Sequence, residues 1–311
     1  MKRKPELPLL IPSYNRPGAP LIKLATQLLG DDYPWFVFVR RSQHRDYMAA
    51  GAPRHHLVAV NDNTIRTLGH TRNYMMRWAL EEGFKRVFDW DDDVARIGRK
   101  LPDGTRHQSW KSTGNDDAWF DGPGYWQEAS HLAHQVFDLY DGTVAGSIQN
   151  QRWASSLTLQ VQCGKTPRRT KILEVERLTE NELWCPREFR FHGEDIGNTA
   201  LYLENDWQIF TICNLVYDFI SETDVNLPST LRSRDEDENK AVHAQEYEDL
   251  MGYDIANYLR VNKAYPDGSY MYGDIDWRKF RKHTGQVSYT HAFSAIMDRV
   301  PLADIPATIH Q

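Results

Sequence analysis

Cysteine is scarce in this sequence, and its scarcity excludes two classes of protein. The 311 residues contain three cysteines, Cys163, Cys185 and Cys213, which are too few for a disulfide-stabilised scaffold. No two of them have the C-x-x-C spacing that is typical of zinc-binding motifs. We therefore expect a protein of a reducing, cytoplasmic setting.

Long apolar runs and an excess of positive charge are also missing. No stretch of 18 apolar residues occurs, and prolines interrupt the apolar start "MKRKPELPLLIPSYN", so we expect neither a membrane span nor a signal peptide. Lys and Arg total 37 against 43 for Asp and Glu, which gives a net charge of -6. This balance provides no global attraction to nucleic acid or to anionic membranes.

Common phosphate-binding and nucleophile motifs are absent as well. The sequence contains neither a G-x-G-x-x-G nor a G-x-x-x-x-G-K-[ST] loop, and it has no nucleophile elbow. It does contain 41% hydrophobic residues, enough for a substantial core in one large domain with or without an appended lobe.

Strand and helix patterns alternate over the first 90 residues. Apolar runs typical of strands are followed by segments with helical spacing, and Gly30 and Gly83 are predicted helix ends. The predicted strands lie at 7–13, 35–40, 56–60 and 84–90. This order favours a parallel, doubly wound sheet with its ligand site at the carboxyl ends of the strands.

The pattern loosens in the rest of the chain. Turn formers dominate 101–124, and helical spacing returns at 125–142. Further strands are predicted at 143–150, 155–164 and 208–219, and a helix is predicted to begin near Glu194 or Asp195. We expect one domain over 1–220, a charged connector over 221–240, and an accessory region over 241–311 that includes an amphipathic segment and packs on the first domain.

Four aspartates crowd the end of the fourth predicted strand in "RVFDWDDDVARIG". We call Asp89 and Asp91–Asp93 the acidic cluster. One interpretation is a solvated loop. The other is a site for Mg²⁺ or Mn²⁺, which take oxygen ligands and share them with phosphates. An EF-hand is excluded because the glycine and the distal glutamate of its loop are missing.

Four segments in order carry a family resemblance: "LPLLIPSYNRPG", "TRNYMMRWALEEG", "KRVFDWDDDV" and "FHGEDIGNTALYL". Together they resemble glycosyltransferases of the GT-A fold, similar to family 2. More narrowly, they resemble the TET-associated glycosyltransferases of bacteriophages, which are implied to glycosylate hydroxymethylated pyrimidines in DNA. The resemblance covers about 7–210. It implies an α/β, Rossmann-like GT-A fold with a mixed, mainly parallel sheet flanked by helices.

The resemblance also implies residue roles. Asp93 is the expected direct metal ligand, and Asp91 is expected to bind the metal or the ribose of the donor. Asp89 is expected to support the strand or its neighbours. The expected donor-binding residues are Pro12, Tyr14, Arg16, Arg72, Asp91 and Asp92.

The "HGED" segment supplies the expected catalytic acids. Asp195 matches the base that deprotonates the acceptor hydroxyl, and Glu194 is expected to bind acceptor or sugar hydroxyls. A helix N-cap also explains one of these acids. A late histidine often joins the metal in GT-A enzymes, and His291 is the candidate here, with His283 and His192 as alternatives.

The implied cofactors are Mn²⁺ or Mg²⁺ and a nucleotide sugar, with a UDP-sugar as the first expectation. Arg40 and Arg41 follow the second strand, where family 2 enzymes commonly have an acidic residue. The expected acceptor is hydroxymethylpyrimidine DNA, with basic stretches at 165–171 and 277–283 as candidate contacts. The alternatives are a polysaccharide, lipid or protein acceptor, or a non-catalytic binding module.

Overall fold

The computed structural model describes residues 6–65, 67–100, 107–111, 114–115, 122–150, 161–163, 166–183, 194–219, 259–264, 270–276 and 279. The helices are α1 (Pro20–Leu28), α2 (His44–Ala49), α3 (Leu68–Glu81), α4 (Gly122–Leu139), α5 (Val175–Glu180) and α6 (Glu194–Glu204). The strands are β1 (Leu9–Pro12), β2 (Trp35–Arg40), β3 (Leu57–Val60), β4 (Arg86–Trp90), β5 (Val94–Lys100), β6 (His107–Lys111), β7 (Gly114–Asn115), β8 (Thr143–Asn150), β9 (Val161–Cys163), β10 (Thr170–Glu174), β11 (Gln208–Phe219), β12 (Leu259–Ala264) and β13 (Tyr270–Ile275).

The first four strands form a parallel unit in the order β3-β2-β1-β4. Helices α1, α2 and α3 connect these strands in turn, so the predicted alternation is confirmed. Their apolar sequences suit strands that are covered by helices on both faces. The strand order reverses between β1 and β4, and in such sheets ligands bind outside the carboxyl ends at this point.

The remaining strands make the sheet mixed. Strand β10 lies antiparallel between β4 and β8, and β11 runs parallel to β8. Strands β5, β6 and β7 follow in antiparallel order beyond β11, and β9 also pairs with β11. The predicted α/β fold with a mixed sheet and flanking helices is confirmed. The sequence patterns did not predict β5, β6, β7 or β10 as strands.

Two apolar layers cover the two faces of the sheet, and β4 contributes to both. Phe88 and Trp90 belong to the layer under α1 and α4, whereas Val87 belongs to the layer under α3, α5 and α6. Because side chains alternate along a strand, Asp89 faces the second layer together with Val87. The carboxylate of Asp89 is fully buried there, which requires a partner of opposite charge.

Local signals fix the bounds of α3, which carries the predicted site residue Arg72. At its start, the side chain of Thr67 accepts a hydrogen bond from the backbone N–H of His70 at 3.2 Å. Just beyond its end, Gly83 adopts φ +84°, a conformation that favours glycine. The predicted role of Gly83 as the helix end is therefore confirmed.

The carboxyl-terminal region contributes a separate two-stranded sheet of β12 and β13. The end of the segment predicted to be amphipathic lies in β12, where the chain is extended and pairs with β13. The connector 221–240 lies outside the described residues, and the domain bounds stay a prediction. Within the described part of the chain, no helix has the length and apolarity that crossing a membrane requires.

Candidate active site

The acidic cluster lies at the reversal point of the parallel unit. Asp91–Asp93 follow the carboxyl end of β4, and Ser13 follows the carboxyl end of the neighbouring β1. The predicted position of these acids at a strand end is thus confirmed by the strand order. The hydrogen-bond partners of each aspartate determine which carboxylate oxygens are left to bind a ligand.

Asp92 is buried, and both of its carboxylate oxygens are engaged within the chain. Ser13 Oγ donates to Oδ2 at 2.6 Å, and Arg16 Nη1 donates to Oδ1 at 3.0 Å. Burial raises the pKa of Asp92 to about 6, although Arg16 and Ser13 lower it. The hydroxyl of Tyr47 lies 2.8 Å from Ser13 Oγ and accepts from the Arg16 N–H at 3.1 Å. Asp92 therefore ties the loop after β1 to the loop after β4.

Asp93 has one oxygen that is hydrogen-bonded and one that has no partner among the described residues. Arg169 Nε donates to Oδ2 at 3.0 Å. The other oxygen, Oδ1, is buried and makes no hydrogen bond within the described part of the chain. Burial and then the charge of Asp91 raise the pKa of Asp93 to about 7, against the opposing effect of Arg169. A cation that contacts Oδ1 would offset both the cost of burying this carboxylate and its repulsion by Asp91.

Arg72 bridges the other two members of the acidic cluster. Its Nη1 donates to Asp89 Oδ2 at 2.9 Å, and its Nη2 donates to Asp91 Oδ1 at 2.5 Å. The side chains of Arg72 and Asp89 are almost fully buried, whereas that of Asp91 is 28% exposed. The structure thus places Arg72 against the acids, and its expected contact with the donor stays a prediction.

Arginine explains how the chain tolerates such crowded acids. Within the described residues, the four carboxylates contact three guanidinium groups. The guanidinium groups belong to Arg16, Arg72 and Arg169. The pattern of acids alone suggested compensation by a divalent ion, and this internal compensation was not predicted.

Asp91 and Asp93 would supply part of the oxygen coordination shell of a divalent cation. Asp93 Oδ1 lacks a partner within the described residues, and the two carboxylates are close enough for the charge of one to raise the pKa of the other. Mg²⁺ typically takes one or two protein carboxylates and completes its shell with phosphate and water. The candidate third ligands His192, His283 and His291 lie outside the described residues.

A small, open cleft lies beside the acidic cluster on the face covered by α3 and α6. Arg72 and Asp89 line it from one side, and Lys171 of β10 lines it from below. Asp195 at the start of α6 lines it from the other side, as do several further residues of that helix. Those residues are Asn198, Thr199 and Tyr202.

Asp195 is held at the rim of this cleft. Its Oδ2 lies 3.6 Å from Arg168 Nε, and its Oδ1 accepts from the N–H of Ile196 at 2.9 Å. The second contact is of the kind expected for an acid in the first turn of a helix. The side chain of Glu194 lies outside the described residues. The structure therefore brings Asp195 into the cleft with Arg72 and Asp89, and its role as a base stays a prediction.

The adjacent residues Arg168 and Arg169 link the carboxylates of Asp195 and Asp93. Arg168 contacts Asp195, and Arg169 contacts Asp93. The backbone carbonyl of Arg169 also accepts from the N–H of Asp91 at 2.7 Å, and Arg169 adopts φ +38°. This conformation costs a non-glycine residue about 1–3 kcal/mol. In the basic stretch 165–171, a predicted DNA contact, Arg168 and Arg169 contact Asp195 and Asp93, and Lys171 lines the cleft.

Tyr14 and Arg40 form a second polar group beyond β1 and β2. Arg40 Nη1 donates to the Tyr14 hydroxyl at 3.0 Å, and its guanidinium lies 4.1 Å from the ring centroid. Pro12 ends β1 and leads into this loop. In the loop after β3, Asp62 Oδ2 accepts a hydrogen bond from Ser42 Oγ, which follows β2, at 2.5 Å. That bond lowers the pKa of Asp62.

A family comparison bears directly on this arrangement. Residues 7–122 match the TET-associated glycosyltransferase family. The resemblance stated from the sequence motifs is confirmed for this range, which contains β1–β7 and the acidic cluster. The match supports a transferase of the glycosyltransferase kind. Asp195 and the cleft side formed by α6 lie outside the matched range.

Other comparisons are weaker. A protein from Desulfovibrio desulfuricans G20, described as a nucleotide-diphospho-sugar transferase, has 12% identity and a TM-score of 0.39, covering 78% of this chain and 98% of its own. The mannose-1-phosphate geranyltransferase from Thermus thermophilus has 11% identity and a TM-score of 0.38, covering 68% and 75%. At these TM-scores neither likeness carries an argument. No curated protein matches the chain significantly.

Proposed function

We propose that this protein is a metal-dependent glycosyltransferase that moves a sugar from a nucleotide-sugar donor to the hydroxyl of a 5-hydroxymethylpyrimidine in DNA. The observation that carries the proposal is the pair Asp91 and Asp93 at the reversal point of the sheet, with Asp93 Oδ1 buried and without a hydrogen-bond partner in the described chain. The matched family range includes this pair.

The donor side of the site has to bind a diphosphate and neutralise the charge that develops as it leaves. Asp91 and Asp93 would hold a divalent ion, which supplies Lewis-acid stabilisation of the leaving diphosphate. Arg16 and Asp92 fix the loop after β1 along which the donor would lie. Tyr14 offers a ring that its stacking with Arg40 already holds in place.

On the acceptor side, the reaction needs a base. The acceptor oxygen attacks the anomeric carbon, the bond from that carbon to the diphosphate oxygen breaks, and the bonding electrons leave with the diphosphate. The hydroxyl proton is transferred to a carboxylate of Asp195, which lines the cleft and is oriented by Arg168 and the N–H of Ile196. This assignment uses one acid on each side of the reacting carbon.

DNA is proposed as the acceptor because the matched family is named for its association with TET proteins, and its phage members are implied to modify hydroxymethylated pyrimidines. Lys171 adds a buried cation to the wall of the cleft that Arg72 also lines. A target base that reaches this cleft must be displaced from its duplex or already single-stranded. We expect a UDP-sugar as donor.

A mass-spectrometric transfer assay tests the proposal. The protein is incubated with Mn²⁺, a panel of nucleotide sugars, and oligonucleotides that contain hydroxymethylcytosine, hydroxymethyluracil or only unmodified bases. We expect a mass increase of one sugar residue on a hydroxymethylated oligonucleotide and none on the unmodified one. Chelation of the metal should abolish the increase.

Asp195→Asn is the matched test of the base. Transfer should fall by about 10²- to 10⁴-fold, while the dissociation constant of the donor stays nearly unchanged. Asp206→Asn, an exposed change in the turn after α6, serves as the control. A loss of donor affinity would move Asp195 to the donor side. Tight donor binding without transfer to any acceptor would instead favour a non-catalytic module.

A further inference from the structure

A second group of metal-ligating side chains lies at the opposite edge of the parallel unit. Asp31 lies in the turn that connects α1 to β2, and His55 and His56 directly precede β3. Because β2 and β3 are parallel, their amino ends share one edge, whereas the acidic cluster follows the carboxyl end of β4. We call these three residues the Asp-His cluster.

The ligand atoms of the Asp-His cluster converge. Asp31 Oδ1 lies 2.8 Å from His55 Nε2 and 3.5 Å from His56 Nε2. One ligand atom from each residue lies within 4.8 Å of the other two, and within the described residues this is the only group of three or more such ligands with that property. Three donors at these separations are able to contact one ion at bond lengths of about 2.0–2.2 Å.

His56 is prepared as a ligand by its surroundings. Its Nδ1 lies 2.8 Å from the carbonyl oxygen of Trp35, and since a carbonyl only accepts, Nδ1 carries the proton. The lone pair is therefore on Nε2, which is buried and makes no hydrogen bond in the described chain. An imidazole whose other nitrogen donates to a carbonyl is the usual arrangement around a bound metal.

Packing fixes the orientation of this ring. His56 is 4% exposed and stacks on the Trp35 indole with a centroid separation of 3.9 Å. Burial lowers the pKa of His56. His55 and Asp31 are exposed, with side-chain exposures of 58% and 77%, and they leave the outer side of the cluster open to water.

We propose that Asp31, His55 and His56 form a second metal site, for a late first-row divalent cation such as Zn²⁺. Two imidazole nitrogens and one carboxylate oxygen suit Zn²⁺, whereas Mg²⁺ prefers oxygen ligands. Water completes the coordination on the open side. At the amino ends of β2 and β3, the ion would cross-link two turns far from the transfer chemistry and so stabilise the sheet without joining the reaction.

Zinc titration of the untagged, full-length protein tests this site. After removal of metals, we expect one Zn²⁺ per chain to bind at the Asp-His cluster and to raise the melting temperature, since a ligand that binds only the folded state stabilises it. Asp31→Asn and His55→Gln, both at exposed positions, should each weaken Zn²⁺ binding at least tenfold and reduce the melting shift. Bound Co²⁺ should give the visible absorption of a low-coordinate site.

Two controls separate this site from the acidic cluster. His44→Gln changes a histidine outside the Asp-His cluster and should leave Zn²⁺ binding at that cluster unchanged. Asp93→Asn removes the expected ligand of the other site and should also leave the melting shift that depends on Asp31 and His55 in place. If Asp31→Asn and His55→Gln bind Zn²⁺ as tightly as the unaltered chain, or if the unaltered chain binds none at this site, the proposal is wrong. The outcome does not depend on whether the protein transfers sugars.

Discussion

The two edges of the parallel unit compensate charge in different ways. At the carboxyl edge, buried aspartates contact guanidinium groups that stay charged at every accessible pH. At the amino edge, an exposed aspartate faces two imidazoles, and the burial of His56 favours its neutral form. The carboxyl edge therefore carries guanidinium charges that stay fixed with pH, whereas the amino edge presents side chains whose protons a metal ion is able to displace.

Arg72→Met should have the largest effect on this contrast. It leaves Asp89 buried without its guanidinium partner, and breaking a buried ion pair from one side costs about 3–5 kcal/mol. His55→Gln at the exposed edge should change the free energy of unfolding of the metal-free protein by less than about 1 kcal/mol. Urea denaturation of both variants measures the difference. Addition of Asp89→Asn to Arg72→Met should restore part of the loss, and equal effects at the two edges would contradict the description of fixed charges at the carboxyl edge.

The same substitution, Asp to Asn, should have different effects on sugar transfer at the two edges. Asp93→Asn should lower transfer by about 10²- to 10³-fold, the size expected when one group that stabilises developing charge is lost. Asp31→Asn should leave transfer unchanged, because it lies at the other edge. Steady-state kinetics at saturating donor measures both, with circular dichroism to verify the fold. Near-normal turnover in Asp93→Asn would contradict the assignment of Asp93 as a metal ligand.

The pH dependence of stability should have opposite signs at the two edges. With its pKa raised to about 7, Asp93 binds more proton in the folded than in the unfolded state between about pH 4 and pH 7, so stability falls as pH rises. The lowered pKa of His56 means that the unfolded state binds more proton near pH 6.5, so this group makes stability rise with pH. Each contribution is about 1 kcal/mol or less between pH 6 and pH 7.

Urea denaturation of the metal-free protein at these two pH values separates the contributions. Asp93→Asn should shift the slope of stability against pH upward, and His56→Gln should shift it downward. If both variants moved the slope in the same direction, the two edges would not differ in the way described.

Local pattern was sufficient to predict the elements that are defined by local contacts. The strands at 143–150 and 208–219 and the helix that begins at Glu194 have the predicted bounds, because apolar spacing and capping residues act within a few positions. The position of the acidic cluster followed from the same alternation. Its partners did not, since Arg16 and Arg169 are each 76 residues distant in the chain from the aspartate they contact.

Non-local pairing accounts for the missed strands. Strand β10 directly follows a basic, turn-rich stretch, and it is held by β4 and β8, which are distant in sequence. Strand β5 reads as a polar continuation of the acidic cluster, and its partner β11 comes more than a hundred residues later. Strands β12 and β13 pair with each other and were also not predicted as strands. The Asp-His cluster was missed because its ligands come from separate turns.

The adjacent arginines Arg168 and Arg169 connect the acidic cluster to the start of α6. Each orients one carboxylate, and consecutive Cα atoms are about 3.8 Å apart across a trans peptide. The proposed donor-side acid Asp93 and the proposed acceptor-side acid Asp195 are therefore both contacted by neighbouring residues of one loop. Insertion of one residue between the arginines should disturb both contacts at once, so in the proposed mechanism a change in this loop affects the donor side and the acceptor side together.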